Sequence, residues 1–163
     1  MFKKTGIASN KMIEKLLPSA ERRKKGPYAI FECFQEIPCN PCFTSCRVGA
    51  VEAFEDINHI PKVHHEKCSG CGLCVSACPG LACFVIDETY SDTEVLIKIP
   101  YEFLPLPKTG ETVNGLDREG NIVTEVKVIK VQNNKKLDNT NVITIAVPKK
   151  FMLDVRNIQV GRE

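Results

Sequence analysis

The chain has 163 residues, 43% hydrophobic and 26% charged, with no low-complexity tract, a composition that builds one folded domain or two small ones. No apolar run approaches 18 residues, which leaves nothing to span a membrane as a helix. A net charge of +2 hides a division: residues 1–30 carry +6, residues 31–98 carry −6 and residues 99–163 carry +2.

The opening MFKKTGIASN has basic residues but no continuous apolar stretch, so a secretory signal is not expected. Arg22-Arg23 is not followed by an apolar segment either, which argues against twin-arginine export. Residues 9–25, SNKMIEKLLPSAERRKK, predict one or two short helices. Ser9 or Asn10 can cap the first, Pro18 divides them, and Gly26 ends the second. Met12, Ile13, Leu16 and Leu17 form a small apolar face, so this arm packs on something, in this chain or a partner. Its charge reads as a solvated helical face or a docking contact. Nucleic-acid binding is disfavoured, because the only aromatic neighbours are Phe2 and Tyr28.

Residues 27–92 form the next region and hold all nine cysteines, between positions 33 and 83. Disulfide scaffolds belong to secreted chains. Without a signal, clustered cysteines point instead to metal binding in a reducing, cytoplasmic compartment. PYAIFE predicts a strand entering the first cluster, and RVGAVEAF a turn with a short helix or strand after it. IPKVHHEK predicts a strand leading into Cys68, and LACFVID a strand leaving Cys78.

Residues 93–163 contain no cysteine. TEVLIKI, NIVTEVKVIKVQ, NVITIAVP and VRNIQV are β-branched runs separated by the turn signals KTGE, LDREGN and QNNKK. PLP at 105–107 reads as a stiff linker. A small β-barrel or β-sandwich is expected here, serving folding or docking, since it offers no catalytic constellation and no phosphate loop. The fold class expected for the whole is α+β: a basic helical arm (1–26), a cysteine-rich domain (27–92) and an all-β docking domain (93–163).

The cysteines carry an internal repeat. Cys39, Cys42 and Cys46 stand 32 positions before Cys71, Cys74 and Cys78, and RVGAV at 47–51 aligns with PGLAC at 79–83. By that offset Cys68 should match position 36, which is Glu36, while Cys33 stands three residues earlier. A [4Fe–4S] cluster takes four thiolates, a soft ligand that iron favours. Two-residue gaps let one tight loop wrap three irons, and the fourth ligand must come from elsewhere. Small residues such as Gly70 and Gly72 let backbone N–H groups approach the sulfurs, which tunes the potential. Pro79 turns the chain away after Cys78.

Cys68-x2-Cys71-x2-Cys74-x3-Cys78-Pro79 resembles the bacterial two-[4Fe–4S] ferredoxin signature, and the likeness extends over residues 28 to about 88. It implies a ferredoxin-like two-cluster domain that carries electrons. One cluster would be held by Cys68, Cys71, Cys74 and Cys46, the other by Cys39, Cys42, Cys78 and one more group. Cys33 is the candidate for that group; Glu36, or a three-iron cluster with an open corner, are the alternatives. A zinc site would strand four cysteines, and a purely structural cluster is a further alternative. Cys83 reads as a small buried hydrophobe. His59, His64 and His65 read as surface or strand residues, although an imidazole beside a cluster can make its potential pH-dependent.

No acid–base pair, nucleophile or substrate pocket is evident, so the chain is not expected to be a catalyst alone. ECFQEIPCNPC at 32–42 resembles the iron–sulfur subunits of multi-subunit FAD-dependent dehydrogenases that oxidise amino acids or amines. That implies a flavoprotein partner in a stable hetero-oligomer. A free ferredoxin serving several partners remains the other reading.

Overall fold

The computed structural model describes residues 2–137 and 140–161. The arm forms three short helices, α1 (Phe2–Thr5), α2 (Asn10–Glu14) and α3 (Ala20–Arg23). Ser9 takes the N-cap position of α2 without a side-chain bond, whereas Ser19 caps α3 by accepting from Arg22 N at 3.2 Å. The expected apolar face packs within this chain: Ile13 is fully buried, and Met12, Leu16 and Leu17 lie against the same core.

The first strands flank the cysteine loops. β1 (Tyr28–Phe31) and β2 (Cys83–Asp87) pair antiparallel, Tyr28 opposite Ile86 and Phe31 opposite Cys83. Their side chains alternate between faces, as extended backbone dictates. Tyr28, Ile30, Phe84 and Ile86 enter the core that also holds Ile13, while Ala29, Phe31, Cys83 and Val85 face Cys42, Cys74 and Val75. Both faces are covered, which is why PYAIFE and LACFVID read as nearly unbroken apolar runs. The strand expected in IPKVHHEK is reduced to one bridge, Val51 opposite Val63. The residues that lead into it, Ile57 to Ile60, are exposed.

The remaining strands are β3 (Glu94–Tyr101), β4 (Thr112–Leu116), β5 (Ile122–Gln132), β6 (Asn141–Pro148) and β7 (Asn157–Gln159). All seven lie in a single antiparallel sheet, ordered β1-β2-β3-β6-β5-β4-β7. β2 pairs with β3 across the boundary expected at residue 92, with Val85 opposite Lys98. The cysteine region and the C-terminal region therefore share one sheet and one apolar core, which runs from Ile13 to Ile158. QNNKK leads from β5 toward β6, although residues 138 and 139 of that loop lie outside the described residues. The hairpin LDREGN closes around Asp117, which accepts from Glu119 N at 2.8 Å and Asn121 N at 2.9 Å. A bulge at Gly115/Leu116 re-aims β4. A Cβ on Gly115 would lie 2.9 Å from Val126 Cγ1, so only glycine fits there.

Candidate metal centres

The 32-residue repeat is visible in three dimensions. Helix α4 (Pro41–Thr44) and helix α5 (Leu73–Ala77) each carry the third cysteine of a run, Cys42 and Cys74. After each helix the chain makes the same turn around the last cysteine. Ala50 N donates to Cys46 Sγ at 3.3 Å, and Ala82 N donates to Cys78 Sγ at 3.4 Å. The turn requires a left-handed residue, which is Gly49 (φ +63) in one copy and Leu81 (φ +52) in the other. Leu81 is the one non-glycine residue with positive φ among the described residues.

Two cavities divide the cysteines. Cys33, Cys39, Cys42, Cys78 and Cys83 line the first; Cys46, Cys68, Cys71 and Cys74 line the second. The last cysteine of each run thus crosses to the cavity of the other. Cys33 lines the first cavity, whereas Glu36 is exposed and is not among its lining residues. The space between the lining atoms, open solvent included, is about 1930 Å³ in the first and about 340 Å³ in the second. Among the described residues no group of three or more His, Cys, Asp or Glu side chains converges as a single metal ion requires. Thiols dominate the donors of both cavities, four in the second with no histidine, and five in the first with His59 beside them, a soft set of the kind a polynuclear iron–sulfur cluster takes.

Cys83, a lining residue of the first cavity, is fully buried on the face of β2 turned toward Cys42 and Cys74. It is hydrogen-bonded to the sulfurs of both Cys74 and Cys78. That contact lowers the pKa of Cys78 to about 6 against the effect of burial, with help from the N–H groups of Ala82, Gly80 and Cys83. The same contact lowers Cys74. Burial, and then the charge of Cys78, pushes Cys42 up to about 12 and also raises Cys33 and Cys39.

The second cavity is braced from outside the repeat. Arg22 is 6% exposed and donates to four carbonyls: His65 at 2.7 Å, Gly26 at 3.0 Å, Pro27 at 2.8 Å and Cys68 at 2.7 Å. Lys98 of β3 donates through Nζ to Gly70 O at 2.7 Å and Cys71 O at 3.4 Å. Ala29 N donates to Cys68 Sγ at 3.4 Å. Gly70 is small for packing: a Cβ there would fall 2.5 Å from Pro27 Cβ.

The first cavity has a different neighbour. Glu32, beside Cys33, accepts from Arg118 Nε at 2.7 Å and Nη2 at 2.6 Å, and from Arg156 Nε at 2.6 Å. All three are largely buried, their side chains 8%, 13% and 4% exposed. Arg156 Nη2 has no hydrogen-bond partner among the described residues, and the guanidinium lies 5.2 Å from the centroid of the Phe84 ring, a contact that offsets part of its desolvation. Sequence reading treated Arg22 as part of a basic run and passed over Glu32, Lys98, Arg118 and Arg156. Only Glu32, adjoining Cys33, carried a positional hint.

Of the histidines, His59 lines the first cavity. His64 contacts Glu52 at 2.8 Å. His65 bonds through Nε2 to Ala29 O at 3.1 Å and meets the edge of Tyr28, and burial lowers its pKa.

Residues 37–82 match the family model of the 4Fe-4S dicluster domain. This segment holds seven of the nine cysteines, leaving Cys33 and Cys83 outside it. The match supports an iron–sulfur domain of ferredoxin type in this segment, with cluster binding and an electron-transfer role. No solved structure matches the chain. No helix among the described residues is long and apolar enough to cross a membrane.

Proposed function

We propose that the chain carries two [4Fe–4S] clusters and passes single electrons as a subunit of a flavin-dependent dehydrogenase. Cys33, Cys39, Cys42 and Cys78 would hold cluster I; Cys46, Cys68, Cys71 and Cys74 would hold cluster II. The observation that carries this reading is the exchange of Cys46 and Cys78 between the runs, which leaves Cys46, Cys68, Cys71 and Cys74 on one cavity and Cys33, Cys39, Cys42 and Cys78, with Cys83 as a fifth thiol, on the other.

The clusters, when bound, supply one-electron redox chemistry at adjacent sites. The chain's residues hold and insulate them. Cys83 links a ligand of one cluster to a ligand of the other. Ala50 and Ala82 place N–H groups on the exchanged sulfurs. Arg22 and Lys98 fix the carbonyls of the loop that bears Cys68 and Cys71. The flavin partner is inferred from the likeness of ECFQEIPCNPC to dehydrogenase subunits. In support, Glu32 of that motif is built into the C-terminal half through Arg118 and Arg156. Such a module belongs to a fixed subunit more than to a minimal carrier.

Anaerobic iron and acid-labile sulfide analysis should give about eight of each per chain; about four of each would overturn the two-cluster reading. Cys33→Ala should lose or convert one cluster, whereas Glu36→Ala and Cys83→Ala should retain both. The subunit reading predicts that the native protein co-elutes with a flavoprotein at fixed stoichiometry. Elution alone from its own cell extract would refute it.

A further inference from the structure

We propose that the groove opening from cluster I is the docking face for an electron-transfer partner whose contact surface has an apolar centre and a ring of Lys and Arg. This inference rests on the assignment of cluster I to Cys33, Cys39, Cys42 and Cys78. The groove extends well beyond those thiols, and its outer wall comes from segments outside the ferredoxin-type domain: the strand end at Glu102-Phe103 and the hairpin turn at Asp117–Gly120.

Two features of this wall identify the occupant. The first is apolar exposure. Phe103 and Ile37, which line the groove, are 60% and 44% exposed, and Phe103 is held by an edge contact with Tyr101 at 5.7 Å. Large exposed apolar groups gathered at one mouth mark an interaction surface. The second is charge. Glu102 and Glu119 line the groove and are exposed, and Glu36 adjoins it on the lining loop. No lysine lines it, and its two arginines are both engaged by Glu32. An apolar centre with an acidic rim is the complement of an apolar protrusion ringed by cations. Cluster II presents the opposite picture, with Lys98 against its loop.

The step at this face is the transfer of one electron from reduced cluster I to the partner's one-electron centre. The cluster is oxidised by one unit, the acceptor is reduced by one unit, and no proton or bond is exchanged.

A small lysine-rich cytochrome c serves as the probe, tested against the full chain with both clusters. Two readouts are taken: affinity for the oxidised protein by calorimetry, and the rate of haem reduction by the reduced protein in stopped flow. The double variant Glu102→Lys, Glu119→Lys should weaken binding and slow reduction about tenfold at low salt, and the difference should vanish at high salt. Phe103→Ser should lower both several-fold at every salt concentration. Glu66→Lys, on the exposed side near Cys68, should leave both unchanged. The proposal is overturned if the groove variants match the wild type, or if Glu66→Lys is as damaging as the double variant. Iron content and the visible band of each variant separate this outcome from failure of the two-cluster reading, which would show as about four irons in the wild type.

Discussion

The two thiol cavities arise from one repeated unit yet meet different surroundings. The cavity of Cys46, Cys68, Cys71 and Cys74 is narrow and clamped by two cations, Arg22 from the arm and Lys98 from β3. The cavity of Cys33, Cys39, Cys42 and Cys78 opens into a wide groove whose nearest cations are tied to Glu32. A repeat can copy ligands and turns, but its two copies occupy different places in the fold. What packs on each copy comes from elsewhere in the chain, and that is what separates their chemistry.

The largest effect expected is at Glu32. Burial pushes its carboxyl up, but Arg118 and Arg156 outweigh burial and hold it below its ordinary value of 4.5. A carboxyl depressed in the folded state stabilises the protein above that ordinary value, and the contribution is lost as pH falls through the folded value. Glu32→Gln leaves Arg156 buried without its anion, at a cost of about 3–5 kcal/mol at neutral pH. The apparent Tm, compared at one scan rate, should fall by roughly 10 °C. The gap from wild type should close as pH drops below 4.5. A gap that is constant with pH would show that the network is not the source. The damage should centre on the groove side, sharpening the contrast between the cavities.

Arg22→Met attacks the other side. It removes a shared donor from four carbonyls, of which His65 O keeps Cys68 N, a loss of about 2–4 kcal/mol where buried groups go unpaired. The loop bearing Cys68 should loosen first, so the cluster II signal should disappear from EPR spectra before that of cluster I during mild chelation. Equal loss of both signals would break the comparison.

Lys98→Met tests charge rather than structure. Its aliphatic stem, which packs over Gly72, is replaced by one of similar length, while the cation is removed. Reduction adds negative charge to a cluster, so loss of a nearby cation should lower the potential of cluster II by on the order of 50 mV. Cluster I should move far less. The check is an EPR-monitored redox titration of both clusters.

The legible part of this fold was what repeats or alternates locally. The 32-residue offset depends on loops that position ligands by their own spacing, so it survives in one dimension. β1, β2 and β6 were legible because a strand buried on both faces must be apolar throughout, and β3 and β5 because β-branched residues recur along them between more exposed ones. The clamps were not legible, because their partners are remote: Glu32 lies 86 residues from Arg118 and 124 from Arg156. Arg22 looked like one charge in a basic run, and nothing local distinguishes an arginine that binds carbonyls from one in solvent. The single sheet was hidden for a related reason. A turn at Ser91, which accepts from Glu94 N at 2.9 Å, carries β2 directly into β3 where the change in texture suggested a domain boundary.

The smallest expected effect bears most directly on the repeat itself. Gly49 and Leu81 occupy the same left-handed position, 32 residues apart. At Gly49 an added Cβ would meet nothing within 4 Å, so Gly49→Ala tests the backbone alone and should cost about 1 kcal/mol. Leu81 already bears a strain of about 1–2 kcal/mol for its left-handed backbone. Leu81→Gly would relieve that strain but free the unfolded chain and remove a side chain from the groove wall. These terms oppose one another, and the net change should stay within about 1 kcal/mol. If Leu81→Gly instead destabilises strongly, the leucine is held there by its contacts at the groove. The two turns would then be equivalent in backbone but not in packing, as the comparison of the cavities requires. Thermal melts of the two variants side by side decide between these outcomes.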